Sequence, residues 1–487
     1  MRPDSLVKDV GLAALIVALG AVLAWVLSGG LPVIGIDDAA ITRSYAENLA
    51  NGAGYVYNVG GERVEGATAL LWTLLLTVLY TLTPTPEVLI VGLAATMTVV
   101  SVTCILRLTR FLERRLTGEA EVAVAAVSVL LIANLGYFMW SVWSMMELAL
   151  WSMLLILLVL RLARLVEAEA PPFDPWILVA GLCLPITRPE GIAVAVGLMV
   201  LAGLLRPAAW RSVAAGVAGA VAVFIAATAF RVSYFGQPFP NTFYAKVSSD
   251  RVQDLKDGLK YFADFLTGLP FAELFVAIWF MLAVWGVISL FAGRDGARAL
   301  LIPAAGVFGM LSVYAALGGD HFVLWRFYQP ATPLLPVAGA VALAIGLPAI
   351  MRVVEGGPPL RLLVGVAGSL AVLGTGWLHY YQSRFDITKE YTLVEQGLDF
   401  GGYLNEASPR PSIGVGPAGG IALAYDGTIY DLLGLNWTTM AHANPIKVGM
   451  RNHASFDLVE IWDTKPDMLP SFTRACRRVD DEGFVVT

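Results

Sequence analysis

Two adjacent carboxylates, Asp37 and Asp38, follow the first long apolar segment of the chain, in the stretch GIDDAAITRSY at residues 35–45. A partly buried carboxylate can act as a general base toward a hydroxyl group, because burial raises its pKa. An aspartate at this place can also cap the helix predicted over AITRSYAENLAN, since its oxygen accepts free amides of the first turn. Successive helical residues point about 100° apart, which argues against a shared proton. We therefore expect one catalytic and one capping aspartate.

Charged and aromatic side chains recur in short polar motifs of an otherwise apolar chain. These motifs are WSMMEL at 143–148, TRPEG at 187–191, YFGQPFPNTFYAK at 234–246 and GGDHFVLWRFY at 318–328. The candidate site residues in them, beside them and in the first loop are Glu65, Glu147, Arg188, Glu190, Arg231, Asn241, Tyr244, Lys246, Asp320, His321 and Arg326. Structural roles are the alternative: Arg188 can satisfy carbonyls at a helix end, and Lys246 can anchor the chain at the membrane interface. Their joint occurrence at one predicted membrane surface favours a single water-accessible site.

The composition is that of a polytopic α-helical membrane protein. Of 487 residues, 57% are hydrophobic and 14% charged, and the mean hydropathy is +0.71. Soluble domains carry about 25% charged residues. The net charge of −6 gives no indication of nucleic-acid binding, and the three cysteines form no disulfide framework or metal-binding spacing.

Arginine clusters mark the loops predicted to face the cytoplasm. About eleven spans agree with them, at 11–28, 87–108, 120–136, 147–165, 176–188, 190–205, 212–230, 270–292, 299–317, 330–351 and 361–379. A further apolar stretch, residues 67–83, is predicted to lie on the outer surface, because a crossing there would move the arginines at 107–115 to the outer side. The first outer loop, 29–86, therefore carries interfacial helices, and the N-terminus is expected in the cytoplasm.

The chain is predicted to divide into a transmembrane catalytic domain, 1–379, and a small extracytoplasmic α/β domain, 380–487. Strands are expected in SIGVGPAG, at 412–419, and as a strand or turn in TIYDLLGL, at 428–435. The stretch GVGPAG matches a dinucleotide-binding pattern, but Pro417 and the outer location disfavour a nucleotide. We predict a close-packed turn there, and a solvated loop for NHASFD, which contains His453.

The stretch IDDAAITRSYAENLANGAGYVYNVGGERVEGATALLWTLL, at 36–75, resembles the first outer loop of GT-C superfamily glycosyltransferases, which depend on polyprenyl phosphate. The nearest resemblance is to terminal arabinofuranosyltransferases of the mycobacterial cell wall. Protein mannosyltransferases and lipid A aminoarabinose transferases are more distantly similar. TRPEG, YFGQPFPNTFYAK, GGD and the tail agree with the same pattern. The resemblance implies the GT-C fold, with juxtamembrane helices in the first outer loop.

The resemblance also implies roles for individual residues. Asp37 and Asp38 correspond to the acidic motif of the family, in which the first aspartate is the usual catalytic candidate. The implied donor is a sugar on a polyprenyl monophosphate, and its phosphate requires cations; the candidates, in order, are Arg188, Lys246, Arg326 and Arg231. Substrate contacts are expected from Glu65, Glu147, Glu190, Asn241, Tyr244, Asp320 and His321. No cofactor is required, although a divalent metal ion could bridge an aspartate and the phosphate.

Other functions remain open at this stage. A transporter or flippase of a lipid-linked sugar would also place polar residues in the membrane, although internal repeats and midplane sites are typical of that class. A non-catalytic assembly protein, with the tail as its working part, is a second alternative. Within the enzyme class, the sugar could be arabinofuranose, another pentose or a hexose. The acceptor could be a glycan or another component of the cell envelope.

Overall fold

The structure is a computed structural model, and it describes residues 3–118, 121–167, 171, 173–292, 295–353, 358–443 and 455–469. Of the loop predicted at NHASFD, residues 452–454, with His453, lie outside these residues. Its described end is partly buried: Ser455 is 1% exposed, and Asp457 is the N-cap of the helix Leu458–Thr464 and accepts the Val459 amide at 2.8 Å. The chain divides into two compact units. The first contains residues 1–33, 87–227 and 255–388, and the second contains 34–86, 228–254 and 389–487. The predicted domain boundary between residues 379 and 380 stays a prediction, and the second unit combines the first outer loop with the tail.

The first unit consists of helices. They are Pro3–Leu27, Glu87–Thr117, Val122–Ala133, Leu135–Phe138, Leu148–Leu165, Pro175–Thr187, Gly191–Leu205, Ala272–Phe291, Leu301–Ala316, Leu335–Val353 and Pro358–Gln382. A π-helix, Met139–Trp143, and three 3₁₀ segments, Pro207–Ala209, Asp295–Leu300 and Val323–Leu334, complete the unit. Three further helices contribute residues to both units: Trp210–Phe235, Arg251–Gly268 and Arg384–Leu404.

Each predicted span coincides with a helix of the described chain. Eight helices there are long and apolar enough to cross a membrane, and a ninth span results if Val122–Ala133 and Leu135–Trp143, bent by 69°, count as one. Pro175–Thr187 and Gly191–Leu205 are apolar but shorter, so their crossing stays a prediction. Leu70–Leu82 has 13 residues, which is about 20 Å of helix against a hydrocarbon core of about 30 Å. That length agrees with the predicted interfacial position. The chain is a polytopic α-helical membrane protein.

The second unit contains short helices around a small sheet. The helices are Asp37–Ala50, Leu70–Leu82, Asn241–Lys246, Gly419–Ala422, Thr438–Ala443 and Leu458–Thr464. Strands Ile413–Val415 and Ile429–Asp431 pair in parallel, with Ile413 opposite Ile429. Both strands lie where the sequence predicted them, and the α/β character of the tail is confirmed.

Three buried tyrosines hold the first outer loop in the core of the second unit. The Tyr45 hydroxyl donates to the Val64 carbonyl at 2.8 Å, and the Tyr55 hydroxyl donates to the Ala67 carbonyl at 2.6 Å. The Tyr57 hydroxyl donates to the Ala418 carbonyl at 2.5 Å. Because a buried phenol requires a polar partner, these bonds fix the loop against the helix that starts at Asp37 and against the turn before Gly419.

Candidate active site

Asp37 is the first residue of the helix Asp37–Ala50, and its side chain lies against the Gly-rich turn of the tail. The Gly419 amide is 3.0 Å from each carboxylate oxygen of Asp37, and the Gly420 amide is 2.9 Å from Oδ1. The N-cap of this helix is Ile36. The expectation that one aspartate occupies the capping position is therefore wrong; Asp37 and Asp38 both lie inside the first turn, where the helix dipole favours negative charge.

Burial determines the acidity of Asp37. Only 7% of the residue is exposed, and this desolvation raises the pKa of its carboxyl from 3.8 to about 6. The amides of Gly420 and Gly419 oppose the rise, and the charge of Asp38 adds to it. A carboxylate with a pKa of about 6 is ionised at neutral pH and is a stronger base than a solvated aspartate.

The turn that binds Asp37 requires glycine at two positions. A Cβ atom at Gly419 would overlap the Asp37 carbonyl oxygen, and one at Gly420 would overlap the Val394 carbonyl oxygen. The sequence predicted a close-packed turn here but not its partner. The available sequence signal for this contact was the pair of glycines, Gly419 and Gly420, that follows a predicted strand.

Gly419→Ala should lower the thermal stability and distort the Asp37 site, because the added methyl group overlaps the backbone of Asp37. The expected loss is about 1–3 kcal/mol, as for other overpacked sites. Thermal unfolding of the purified protein in detergent measures the change. Gly402→Ala is the matched control, since it lies in a helix of the same unit with no atom within 4 Å of the added Cβ. Equal melting temperatures for the two variants would contradict the predicted close approach.

A second buried carboxylate, Asp431, was missed by the sequence analysis. It accepts the Leu433 amide at 2.9 Å, the Asn436 amide at 3.0 Å and the Asn436 side-chain amide at 2.8 Å. Burial raises the pKa of Asp431 to about 6, and the charge of Asp37 contributes to the rise. Its position at the end of a predicted strand was the only available signal.

Glu65 and Arg231 form a buried ion pair in the second unit. Arg231 Nε lies 2.8 Å from Glu65 Oε2 and 3.1 Å from Oε1, and both side chains are about 5% exposed or less. Burial raises the pKa of Glu65, and Arg231 opposes this rise. Arg63 lies over the Tyr234 ring, 4.7 Å from its centroid. Glu65 is thus part of a buried pair and not of a surface one.

Asn241, Tyr244 and Lys246 belong to one short helix, Asn241–Lys246. The Asn241 backbone amide donates to the Glu65 carbonyl at 3.1 Å, and its side chain donates to the Gly434 and Leu435 carbonyls. The Tyr244 ring stacks on His442, with centroids 4.3 Å apart. Ala245, beside the half-buried Lys246, packs in the same hydrophobic cluster as Ile41 and Ala418.

In the first unit, Arg188 lies between two carboxylates. Its Nη1 is 2.5 Å from Glu147 Oε1, and its Nε is 2.5 Å from Glu190 Oε1. The Tyr314 hydroxyl donates to Glu190 at 2.8 Å. Glu147 and Glu190 are therefore both paired with Arg188.

Asp320 and Arg326 form a second buried pair in the first unit. Arg326 Nε lies 2.7 Å from Asp320 Oδ2, and Nη2 lies 3.1 Å from Oδ1, a bidentate arrangement. The guanidinium is 4.0 Å from the centroid of Phe322. His321 Nδ1 is 3.5 Å from Asp320 Oδ1.

The structure thus gathers the candidate residues into polar groups within each unit. One unit holds Asp37, Asp38, Glu65, Arg231, Asn241, Tyr244 and Lys246, and the other holds Glu147, Arg188, Glu190, Asp320, His321 and Arg326. A single site made from all of them stays a prediction. The three candidate arginines all form ion pairs with carboxylates, so any phosphate would share them with an internal anion. No group of three His, Cys, Asp or Glu side chains in the described chain is placed to hold a metal ion.

Solved structures with a similar fold are known. The chain resembles ArnT from Cupriavidus metallidurans in the apo state, with TM-score 0.55 and 15% identity over 85% of this chain and 84% of that one. It also resembles the same protein bound to undecaprenyl phosphate, with TM-score 0.55 and 16% identity over 86% of each. The fold is that of ArnT. The predicted GT-C fold is thereby confirmed.

A third structure, the oligosaccharyltransferase of Archaeoglobus fulgidus in complex with Zn and sulfate, has TM-score 0.49 and 12% identity over 85% of this chain and 62% of that one. Scans against protein-family models and against curated protein sequences give no match. At these identities the likeness to ArnT concerns the fold, and the chemistry has to be argued from the residues of this chain.

Proposed function

We propose that this protein is a membrane glycosyltransferase that moves a sugar, with arabinofuranose as the first candidate, from a polyprenyl-monophosphate donor to a glycan or other cell-envelope acceptor on the outer face of the membrane. The buried Asp37 carboxylate carries the proposal, because the backbone amides of a Gly-rich turn orient it and burial raises its pKa to about 6. The ArnT fold supports a polyprenyl-phosphate donor, since one of the two similar ArnT structures has undecaprenyl phosphate bound.

In the proposed reaction, Asp37 removes the proton from the acceptor hydroxyl as the hydroxyl oxygen attacks the anomeric carbon. The bond between that carbon and the phosphate oxygen breaks, and polyprenyl phosphate leaves with the electron pair. Because the leaving group is already a stable anion, it needs no general acid. A single displacement inverts the anomeric configuration.

Cations near the donor phosphate stabilise the charge that develops on it. We assign Lys246 to this role first, because its helix packs in the same hydrophobic cluster as Ile41 and Ala418. Ile41 follows Asp37 by four residues, and Ala418 directly precedes Gly419. The three candidate arginines, Arg231, Arg188 and Arg326, pair with carboxylates. We therefore assign them first to the positioning of those acids, and propose that any contact with the phosphate is made in addition to the ion pair. If a divalent metal ion takes part, Asp37 or Asp38 would hold it, and it would offset the negative charge of the donor phosphate.

Transfer assays with the purified protein test this proposal. The donors are synthetic polyprenyl phosphates carrying arabinofuranose, another pentose or a hexose, and the acceptor is a short oligosaccharide. We expect transfer with inversion from one of these donors. Movement of the donor across a proteoliposome membrane without transfer from any of them would instead favour the flippase alternative.

The rate of transfer should rise with pH through about 6 and level off above 7. The base must be ionised to accept a proton. Because the Asp37 pKa is about 6, activity should be lost as the pH falls through 6. A solvated aspartate, with a pKa of about 3.9, would lose it only at much lower pH. The pH profile of kcat/KM measures this value in the free enzyme. Because Asp431 has a similar pKa and interacts with the charge of Asp37, the profile is repeated with Asp431→Asn, which should lower the midpoint slightly and leave it well above the range of a solvated aspartate. A profile that is flat between pH 5 and 7 would contradict the assignment.

A further inference from the structure

A basic cavity of about 240 Å³ opens in the first unit among three helices, Pro3–Leu27, Glu87–Thr117 and Leu148–Leu165. It lies at the arginine-rich end of the second of these helices, which the sequence predicts to face the cytoplasm. The charged residues that line it are Asp9, Arg107, Arg110, Arg114, Arg115 and Arg164. Five guanidinium groups thus surround one small volume, together with a single lining carboxylate.

Helix periodicity explains the convergence of the arginines. Arg107, Arg110 and Arg114 stand at positions i, i+3 and i+7 of one helix and share a face of it. Arg164 approaches from the neighbouring helix and lies 6.0 Å from the centroid of the Phe111 ring, which also lines the cavity. The cavity therefore combines a basic face with an aromatic side chain.

Several of these arginines form ion pairs with carboxylates of the described chain. Asp9, which is 2% exposed, lies 3.0 Å from Arg110 and 3.9 Å from Arg107. Two flanking acids outside the lining also participate: Glu121 lies 3.1 Å from Arg110, and Glu167 lies 3.0 Å from Arg115.

A further carboxylate, Glu113, lies in the same helix as Arg107 and Arg114 and binds backbone amides. Its carboxylate accepts the amides of Val122 and Ala123 at the start of the next helix, at 3.0 Å each. Against the five arginines stand four carboxylates of the described chain, Asp9, Glu113, Glu121 and Glu167, so the formal charge of these nine residues is about +1. Five guanidinium groups around one volume attract an anion.

We propose that this cavity binds a phosphate-bearing anion, either the headgroup of an anionic membrane lipid or a soluble phosphate. Guanidinium groups bind phosphate oxygens through paired N–H donors, and basic pockets between transmembrane helices on the cytoplasmic side bind anionic headgroups. The site is separate from Asp37 in the chain, and the proposal does not depend on glycosyl transfer. A bound phosphate would link the ends of three helices through charges that otherwise repel one another.

Binding to the purified full-length protein in neutral detergent tests the proposal. The probes are phosphatidylglycerol, phosphatidylcholine and inorganic phosphate at matched ionic strength, read by thermal unfolding and by native mass spectrometry. We expect phosphatidylglycerol or inorganic phosphate to stabilise the native protein, and phosphatidylcholine not to. Stabilisation by phosphatidylglycerol alone identifies a lipid headgroup site, and stabilisation by inorganic phosphate alone identifies a soluble-phosphate site.

The double variant Arg107→Gln/Arg114→Gln should weaken binding of the stabilising probe about tenfold or more, because it removes two of the five lining guanidinium groups. Arg211→Gln/Arg361→Gln is the matched control, since it removes the same charge from exposed positions predicted at the same membrane face that do not line the cavity. Arg107→Lys/Arg114→Lys preserves the charge and serves if the glutamine variant does not fold. Equal binding by the cavity and control variants would overturn the proposal. So would a native protein that neither phosphatidylglycerol nor inorganic phosphate stabilises.

Discussion

Asp37→Asn should abolish sugar transfer, with a loss of at least about 100-fold, the range in which removal of a general base falls. The variant retains the size of the side chain and one acceptor oxygen, but it cannot take a proton from the acceptor hydroxyl. Single-turnover transfer with the preferred donor measures the loss of the chemical step. We expect donor binding to change much less, because Asp37 acts on the acceptor.

A structural role of Asp37 has to be separated from this catalytic one. Asparagine directs an N–H group toward the amide of Gly419 or Gly420, so the variant should also melt at a lower temperature, by an amount that corresponds to about 1–3 kcal/mol. The decisive readout is the residual rate, which should no longer vary with pH around 6. Asp38→Asn is the matched control with the adjacent carboxylate removed, and we expect it to retain most of the activity. Transfer by a monodisperse Asp37→Asn protein at the native rate would show that Asp37 only binds the Gly-rich turn and is not the base.

Arg231→Gln should destabilise the protein by about 3–5 kcal/mol, because it leaves the Glu65 carboxylate buried without its cation. The double variant Arg231→Gln/Glu65→Gln should recover much of this loss, since two neutral amides can bond to each other. Thermal unfolding of the native protein, both single variants and the double variant completes a double-mutant cycle. The coupling energy obtained from it measures the ion pair directly.

The same cycle tests whether Arg231 also binds the donor. If its only partner is Glu65, the double variant should bind donor as the native protein does. If Arg231 also binds the donor phosphate, the KM for the donor should stay raised in the double variant even though its stability is restored. Arg63→Gln is the control for loss of an exposed arginine in this unit, whose contact with the Tyr234 ring should contribute about 0.5–1 kcal/mol. A single variant as stable as Arg63→Gln would show that the buried pair has no energetic role.

The sequence predicted the membrane architecture because hydropathy and arginine placement are local properties. Each proposed span requires only its own apolar length, and the strand at Ile413 requires only its own alternation and glycines. The parallel pairing of Ile413 with Ile429 is a longer-range property, and it was expected only as mixed α/β character. The importance of Asp37 came from its position after the first span and from the resemblance of the loop.

The partners of the charged residues could not be predicted from the sequence. Glu147 and Arg188 are 41 positions apart, and Glu65 and Arg231 are 166 apart; no local pattern connects them. Residue type alone therefore favoured a phosphate as the partner of these arginines, whereas in the structure Arg188, Arg231 and Arg326 each pair with a carboxylate. Asp431 was missed for the same reason, because its burial results from packing against loops that precede it by hundreds of residues.

The bond between Asp37 and Gly419 joins residues 382 positions apart, and this separation has a consequence for biosynthesis. A ribosome that adds about 5–20 residues per second makes Gly419 roughly 20–80 s after Asp37. During that interval the Asp37 carboxylate lacks the amides that orient it. The amides that orient the proposed base are present only once Gly419 and Gly420 have been made, so a nascent chain should stay inactive until then.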